Sequence, residues 1–467
     1  MNDNMVTFRS GQGLELRGTL HRLTRNQVVF ETYGPEPILR MSEVLSDFTL
    51  RHLEHPVYSG KALVSNLLQT GACTVCEALL EDSWLNGATV LPGADVGAAK
   101  SSFADFVTYW GKSYRVLPEF KVVIADIHSF LVDLRTWLEQ VELTVRASPS
   151  GSRAALEREW MEAITPQTTA MIAELFNRFE QVACKVEPEF VPVHQALGRR
   201  MLHPLILAAP FVYRTLHKPL GYAGDYEMVN MIVRDPYEGA SMFAKAFNVC
   251  ALSRPPIVAH RNRLEYLTEK LKQETLRRLA AGQRPRILTI GCGPAHEVRA
   301  FLRNYEFSDK VDFTLIDFDA ETLEHTASAL AEIKRKHGRS TGVQVIKRSV
   351  QQMLKQSARA AHVEPHEQYD LIYCAGLFDY LPDPVCRSLI ALFDNLLAPG
   401  GLQLVTNVDT HASRKEMEYF LEWHLIYRNT DAMLALVPPR IERDCVSILR
   451  EPSGINVFVE IRKPNRD

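Results

Sequence analysis

The sequence predicts a multidomain protein. It should have a small N-terminal β-barrel, a helical middle region and a C-terminal α/β unit closed by a β-hairpin. Three observations carry this. Short apolar runs broken by turn residues fill positions up to about 90. Apolar residues then recur at three- and four-residue spacing. From Arg284 onward, strand and helix patterns alternate, the mark of a parallel sheet. The expected bounds are 1–95, 100–250 and 255–463. A chain of 467 residues also exceeds the usual size of one compact core.

Composition narrows the class. Apolar residues make up 46% and charged residues 23%, an ordinary globular balance. The net charge of −3 argues against bulk binding to nucleic acid or an anionic membrane. No run of about 18 apolar residues offers a spanning helix. The opening MNDNMVTFRSGQG has no apolar signal core, so a cytoplasmic protein is expected. The eight cysteines, at 73, 76, 184, 250, 292, 374, 386 and 445, are scattered as buried thiols would be, not as a disulfide framework. Cys73 and Cys76 form the only close pair. Zinc needs four ligands and no second pair follows, so a structural role in a strand and no metal are expected.

In the N-terminal segment the strand candidates are LELRGTLHRL, QVVFETYG, PILRMSEVL, FTLRHL and KALVSNLLQTGACTVCEALL. Tyr33-Gly34-Pro35 and Tyr58-Ser59-Gly60 read as turns. This layout resembles a PilZ-like barrel. PilZ domains that bind cyclic di-GMP use an RxxxR arm and a later D/NxSxxG strand. The comparable stretch here is His21-Arg22-Leu23-Thr24-Arg25-Asn26-Gln27, and it lacks the acidic or amide residue before the serine and the glycine. Those arginines fork to a guanine-phosphate ligand and the glycine admits its close approach. Without the set, an interaction or scaffold barrel, serving a protein partner or a homodimer, is favoured over a nucleotide sensor.

The middle region opens with Ile127, Phe130, Leu131, Leu134, Trp137, Leu138 and Val141 on one helical stripe. RASPSGSR, 146–153, is a hinge. Helix resumes from Ala154 to about Glu187. These stripes are expected to be core.

The C-terminal unit carries the chemistry. In RPRILTIGCGPAHEVRAFL a strand meets a glycine turn and then a helix. Gly291 and Gly293 let backbone approach a ligand, and the helix from near Ala295 presents free N–H groups beside it. His296 stands where a dinucleotide fingerprint would have its third glycine. A second strand ends in Asp317, an acid placed to take both hydroxyls of a ribose. VQVIKRSVQQML, YDLIYCAGLFDYLPD and LLAPGGLQLVTNV supply three further strands, and CVSILREPSGINVFVEIRK a closing hairpin around Pro452-Ser453-Gly454.

Over 255–463 this order resembles the Rossmann-like class I S-adenosylmethionine-dependent methyltransferases. The resemblance implies S-adenosylmethionine as cofactor. It implies Gly291, Cys292 and Gly293 as the methionine-binding turn, Asp317 with Phe318 at the ribose, Ser349 and Val350 flanking adenine, and Ala375 near the methyl donor. The family usually has Asp or Asn at the Ser349 slot, so adenine contacts would fall to backbone and Val350.

A second motif, HKPLGYAGDYEMVNMI at 217–232, is dense in Gly, Tyr and Asp. It reads either as an interhelical turn or as a cap over the cofactor and substrate. Together with the Gly291 loop, Leu377–Leu381 and Trp423–Arg428, it makes 190–463 resemble the bacterial 3-hydroxypalmitic acid methyl ester biosynthesis group. That resemblance implies methylation of a fatty-acid-like carboxylate to give a quorum-sensing ester signal.

A carboxylate is ionised at neutral pH and needs no base. Catalysis would rest on alignment and desolvation, with Tyr222, Asp225, Tyr226 and Tyr380 as catalytic candidates. Phe378, His424 and Arg428 are candidates to bind the substrate, the last two equally readable as helix-surface residues. Cyclisation of the cofactor itself, cofactor sensing without turnover and methylation of a protein side chain stay open as alternatives.

Overall fold

The computed structural model describes residues 4–23, 27–33, 39–52, 55–69, 73–81, 115–359 and 368–465, with isolated helical residues between 97 and 111. Thr24, Arg25, Asn26, Gly34 and Pro35, named above, lie outside the described residues.

Six antiparallel strands close the N-terminal barrel. They are β1 (Asn4–Arg9), β2 (Glu15–Leu23), β3 (Gln27–Tyr33), β4 (Val44–His52), β5 (His55–Gln69) and β6 (Cys73–Leu80), in the order β1-β2-β3-β6-β5-β4. Alternation sends Val6, Phe8, Val28, Phe30, Phe48 and Leu50 inward, where closure leaves no free edge. Phe8 meets Phe30 edge-on at 5.2 Å and stacks on Phe48 at 5.9 Å. Cys76 pairs with Phe30 across the sheet as a buried filler, and Cys73 is half-buried.

Two readings of this segment are corrected. Tyr58-Ser59-Gly60 is not a turn but the middle of β5. Gly60 is there for close approach: a Cβ would stand 2.8 Å from the Tyr58 hydroxyl, which donates to the Lys61 carbonyl. PILRMSEVL is not one strand, because Leu39–Glu43 forms a turn against β5 before β4 begins.

The helices Pro118–Ala147 and Arg153–Ala183 bury the expected stripe, Ile127, Leu131, Leu138 and Val141 on the first and Ile172, Leu175, Phe176 and Phe179 on the second. Trp137 faces partly outward, at 47% exposure, against Trp160. The second helix stops at Ala183, short of Glu187. Four further helices follow: Val191–Ile206, Pro210–His217, Tyr226–Val233 and Met242–Leu252. Their core also takes in Met417, Tyr419, Phe420, Trp423 and Leu425 from the C-terminal part of the chain.

The third region is a seven-stranded sheet. Its strands are β7 (Arg286–Ile290), β8 (Asp312–Asp317), β9 (Gly342–Lys347), β10 (Tyr369–Cys374), β11 (Leu397–Val408), β12 (Val446–Arg450) and β13 (Asn456–Arg462), in the order β12-β13-β11-β10-β7-β8-β9. Five strands run parallel, and β13 lies antiparallel between β11 and β12. The Pro399-Gly400-Gly401 bend falls inside β11, where the register slips and Gly400 takes φ +65°. The helix Pro255–Ala280 leads into β7; Ala320–His337, Val350–Arg359 and Asp383–Leu396 follow β8, β9 and β10. Chain direction along the sheet reverses between β7 and β10, so a crevice opens at their C-terminal ends. No helix among the described residues is long and apolar enough to cross a membrane.

The barrel docks on that crevice through backbone. Val44 N–H donates to the Gly221 carbonyl (2.8 Å) and Met41 N–H to that of Tyr380 (3.2 Å). The Ser42 hydroxyl accepts from His424 N–H (2.5 Å) and donates to the His424 carbonyl (2.9 Å). Ser42→Ala orphans a buried N–H, so a loss of about 1–3 kcal/mol is expected. A lower urea midpoint and faster amide exchange at His424 would register it; an unchanged midpoint would mean the contact contributes nothing.

Candidate active site

The crevice holds a cavity of ≈ 190 Å³ at the tips of β7, β8 and β10, covered by the Gly221–Tyr226 motif and the barrel loop. Gly291 (φ +66°) and Gly293 (φ +49°) hold backbone angles that favour glycine. The turn curls over β8, with Gly291 and Cys292 N–H groups both donating to the Ile316 carbonyl, at 2.9 and 3.1 Å. Asp317, 6% exposed, accepts from Gly293 N–H and Asp319 N–H, each at 3.1 Å. Burial pushes its carboxyl up; the two N–H groups and the nearby Arg40 pull it back.

Around this centre, Phe318 meets the Tyr222 ring edge-on at 5.0 Å. The Arg40 guanidinium lies over the Phe318 ring, 4.0 Å from its centroid. The Tyr226 hydroxyl donates to Glu321 (2.8 Å), and that of Tyr380 accepts from Trp423 Nε1 (2.9 Å). Tyr222, Tyr226, Tyr380, Gly291, Cys292, Gly293, Asp317, Phe318, Val350 and Ala375 all line the one cavity.

Five candidates do not. Asp225 is the N-cap of the helix Tyr226–Val233: its Oδ1 accepts from Met228 N–H (2.8 Å) and Arg214 Nε (2.9 Å), outside the lining. Ser349 caps the helix after β9, accepting from Gln352 N–H at 3.3 Å. Phe378 is fully buried in the core under the helix Asp383–Leu396. His424 and Arg428 lie on an extended stretch, neither helical nor on the surface. His424 is buried and pushed down to about 4, so it is a neutral ring at physiological pH. Arg428 uses all five of its N–H donors: Nη1 on the Phe378 carbonyl and Asn407, Nη2 on the Leu381 carbonyl and Asp383, Nε again on Asp383, at 2.7–3.0 Å. It fastens the loop after β10 to β11 and has no donor left for a substrate.

The sequence reading missed Arg40 and Met41 from the barrel loop, His260 and Arg263 from the helix Pro255–Ala280, and Asn456. One signal was available. Ile257, His260, Leu264, Leu267 and Leu271 share the helical stripe with Arg263, a charge on an apolar face.

Residues 288–403 match the family model described as a methyltransferase domain. None of the curated proteins matches the chain. Among solved structures, a "possible exported protein" from Bordetella parapertussis is 17% identical, with 68% of this chain and 99% of that one covered at TM-score 0.39. Magnesium protoporphyrin IX methyltransferase from Synechocystis PCC 6803 with bound S-adenosylhomocysteine is 10% identical (51% and 93% covered, TM-score 0.34). An N-methyltransferase from Bradyrhizobium japonicum in complex with the same product is 14% identical (54% and 100%, 0.30). These overlaps are loose; the assignment rests on the family model and the site. The glycine turn and Asp317 both fall inside the matched span, and the buried, doubly hydrogen-bonded Asp317 keeps lone pairs for a diol. Residues 288–403 thus carry a methyltransferase domain.

Asp317→Ala should weaken S-adenosylhomocysteine binding in calorimetry by about 10- to 100-fold, the worth of charge-assisted hydrogen bonds to a ribose. Arg40→Ala should weaken it by about 2- to 30-fold. Unchanged affinity in both would remove the ribose assignment. Arg428→Leu should instead cost roughly 3–5 kcal/mol in urea unfolding. Arg428→Lys should recover little, since an ammonium has three donors for five positions.

Proposed function

We propose that the chain methylates the carboxylate of an acid with a long apolar tail, of the 3-hydroxy fatty acid kind. One observation carries the reading. Beyond the glycine turn the cavity wall becomes apolar, and Pro256, Ile257, Met417 and Trp423 are shared with a second chamber of ≈ 50 Å³. Ile172, Phe176, Ile206, Phe211 and Phe247 line that chamber within the helical core. An apolar chamber that shares its wall with a charged site suits an amphiphilic acid.

S-adenosylmethionine supplies a methyl group on a positively charged sulfur. The chain's own contribution is alignment and exclusion of water. Tyr222 and Tyr380 are buried, which pushes both phenols above their usual range, so they remain neutral. Tyr380 accepts from Trp423 and keeps its own proton to donate to a carboxylate oxygen. Tyr226, held by Glu321, closes the outer rim. Attack by an ionised carboxylate in this dry site cancels two charges, so leaving water favours the forward reaction.

The test is turnover with S-adenosylmethionine and 3-hydroxypalmitate, against 3-hydroxybutyrate, read by mass spectrometry. The methyl ester and S-adenosylhomocysteine should form with the long acid only. Equal turnover with the short acid would refute the tail chamber, and methylthioadenosine released without any acid would establish cyclisation instead.

A further inference from the structure

We infer that Arg263 and His260 form a carboxylate clamp in the cavity wall, acting with Gly376. Three buried polar atoms on residues lining this cavity make no hydrogen bond among the described residues: Arg263 Nε, His260 Nε2 and Asn456 Oδ1. Buried polar groups are nearly always paired, and an orphan marks a missing partner. Three on one cavity mark a ligand.

The chemistry of that ligand follows from the donors. Arg263 Nη2 lies 2.9 Å from His260 Nδ1. A guanidinium only donates, so Nδ1 accepts and the imidazole proton sits on Nε2. Burial and the adjacent guanidinium push His260 well down and keep it in this neutral form. The pair therefore offers two unsatisfied N–H donors, the pattern a carboxylate takes. A Cβ at Gly376, at the tip of β10, would come within 3.1 Å of both Arg263 Nη atoms. Asp379 and Glu297 lie within electrostatic reach of Arg263, but neither bonds it. Asp379 accepts from Val408 N–H at 2.6 Å, and Glu297 from the Tyr373 hydroxyl at 2.8 Å. The clamp rests on reading this cavity as the cofactor and acceptor site. Its carboxylate is the amino-acid end of the cofactor or the head of the acceptor acid.

Calorimetry on the full chain separates the two sources. The probes are S-adenosylhomocysteine, methylthioadenosine (the same nucleoside without the amino-acid end) and 3-hydroxypalmitate in the presence of S-adenosylhomocysteine. Arg263→Gln should weaken one carboxylate-bearing probe by about 10- to 100-fold and leave methylthioadenosine unchanged. His260→Gln, which keeps an N–H donor, should bind closer to the native level than His260→Leu. Loss confined to S-adenosylhomocysteine assigns the clamp to the cofactor, and loss confined to 3-hydroxypalmitate assigns it to the acceptor. Unchanged binding of both acids, or a parallel loss of methylthioadenosine, overturns the clamp. Should Arg263→Gln not fold, the native chain decides: equal affinity for each acid and its carboxamide overturns it too. Binding of S-adenosylhomocysteine is read without turnover, so the clamp and the methyl-ester reading can fail separately.

Discussion

Everything at the active site is arranged around one buried carboxylate. Asp317 ends β8, and its two oxygens take the N–H groups of Gly293 and Asp319, while its own carbonyl accepts from Arg348 N–H at 2.8 Å. Three strand tips are thereby tied into one unit: the glycine turn after β7, the end of β8 and the exit of β9. An unpaired buried carboxylate would be costly, and two N–H donors offset part of that cost. The remainder is met by neighbours. Arg40 supplies positive charge across the Phe318 ring, and Tyr222 and Phe318 exclude water from the same side. The glycines follow from this geometry, since the turn can reach Asp317 only with backbone angles that side chains disfavour.

What was legible in the sequence was what local chemistry decides. Alternation wrote the barrel strands, three- and four-residue spacing wrote the long helices, and Gly291, Gly293 and Asp317 wrote the turn that lines the cavity, because each depends on residues close in the chain. The tyrosines of the Gly221–Tyr226 motif were found for the same reason. Polar residues with distant partners were not. Arg428 is decided by Phe378, Leu381, Asp383 and Asn407, the nearest of them 21 positions away, and only the fold shows that its donors are all taken. Asp225 looked like a free acid because Arg214, which neutralises it, is one helix earlier. Tyr58-Ser59-Gly60 carried turn composition, yet its glycine answers to the Tyr58 ring.

Arg263 is the instructive miss. The helix Pro255–Ala280 carries a periodic apolar stripe with this charge in phase with it, and the sequence reading drew nothing from it. Burying a guanidinium on an apolar helix face is expensive unless something repays it. Here no carboxylate bonds it, so its presence points to the cavity and not to packing. A charged residue in phase with an apolar stripe is therefore a signal to weigh beside polar residues such as Asp225, His424 and Arg428, which lie outside the cavity lining.

The barrel's part in the site follows from where its loop goes. A strand that began at Pro37, as alternation alone would have it, would have kept Arg40 on the barrel. Instead Leu39–Glu43 forms a turn, still bonded to Val64 of β5 through Ser42 and Glu43, and Glu43, 3% exposed, holds the turn's shape by accepting from Gly11 N–H at 2.7 Å and Arg40 N–H at 2.8 Å. The loop then bonds to Gly221, Tyr380 and His424, three points on the wall of the methyltransferase crevice or next to it. The two backbone-to-backbone bonds among these, from Val44 and Met41, fix position more tightly than side-chain contacts, because no rotamer can release them. Arg40 and Met41 consequently belong to the cavity as firmly as Gly291 does. Anything that displaced the barrel loop would open the cavity beside Asp317 and Phe318, which makes the N-terminal barrel a component of the cavity wall and not an appendage to it.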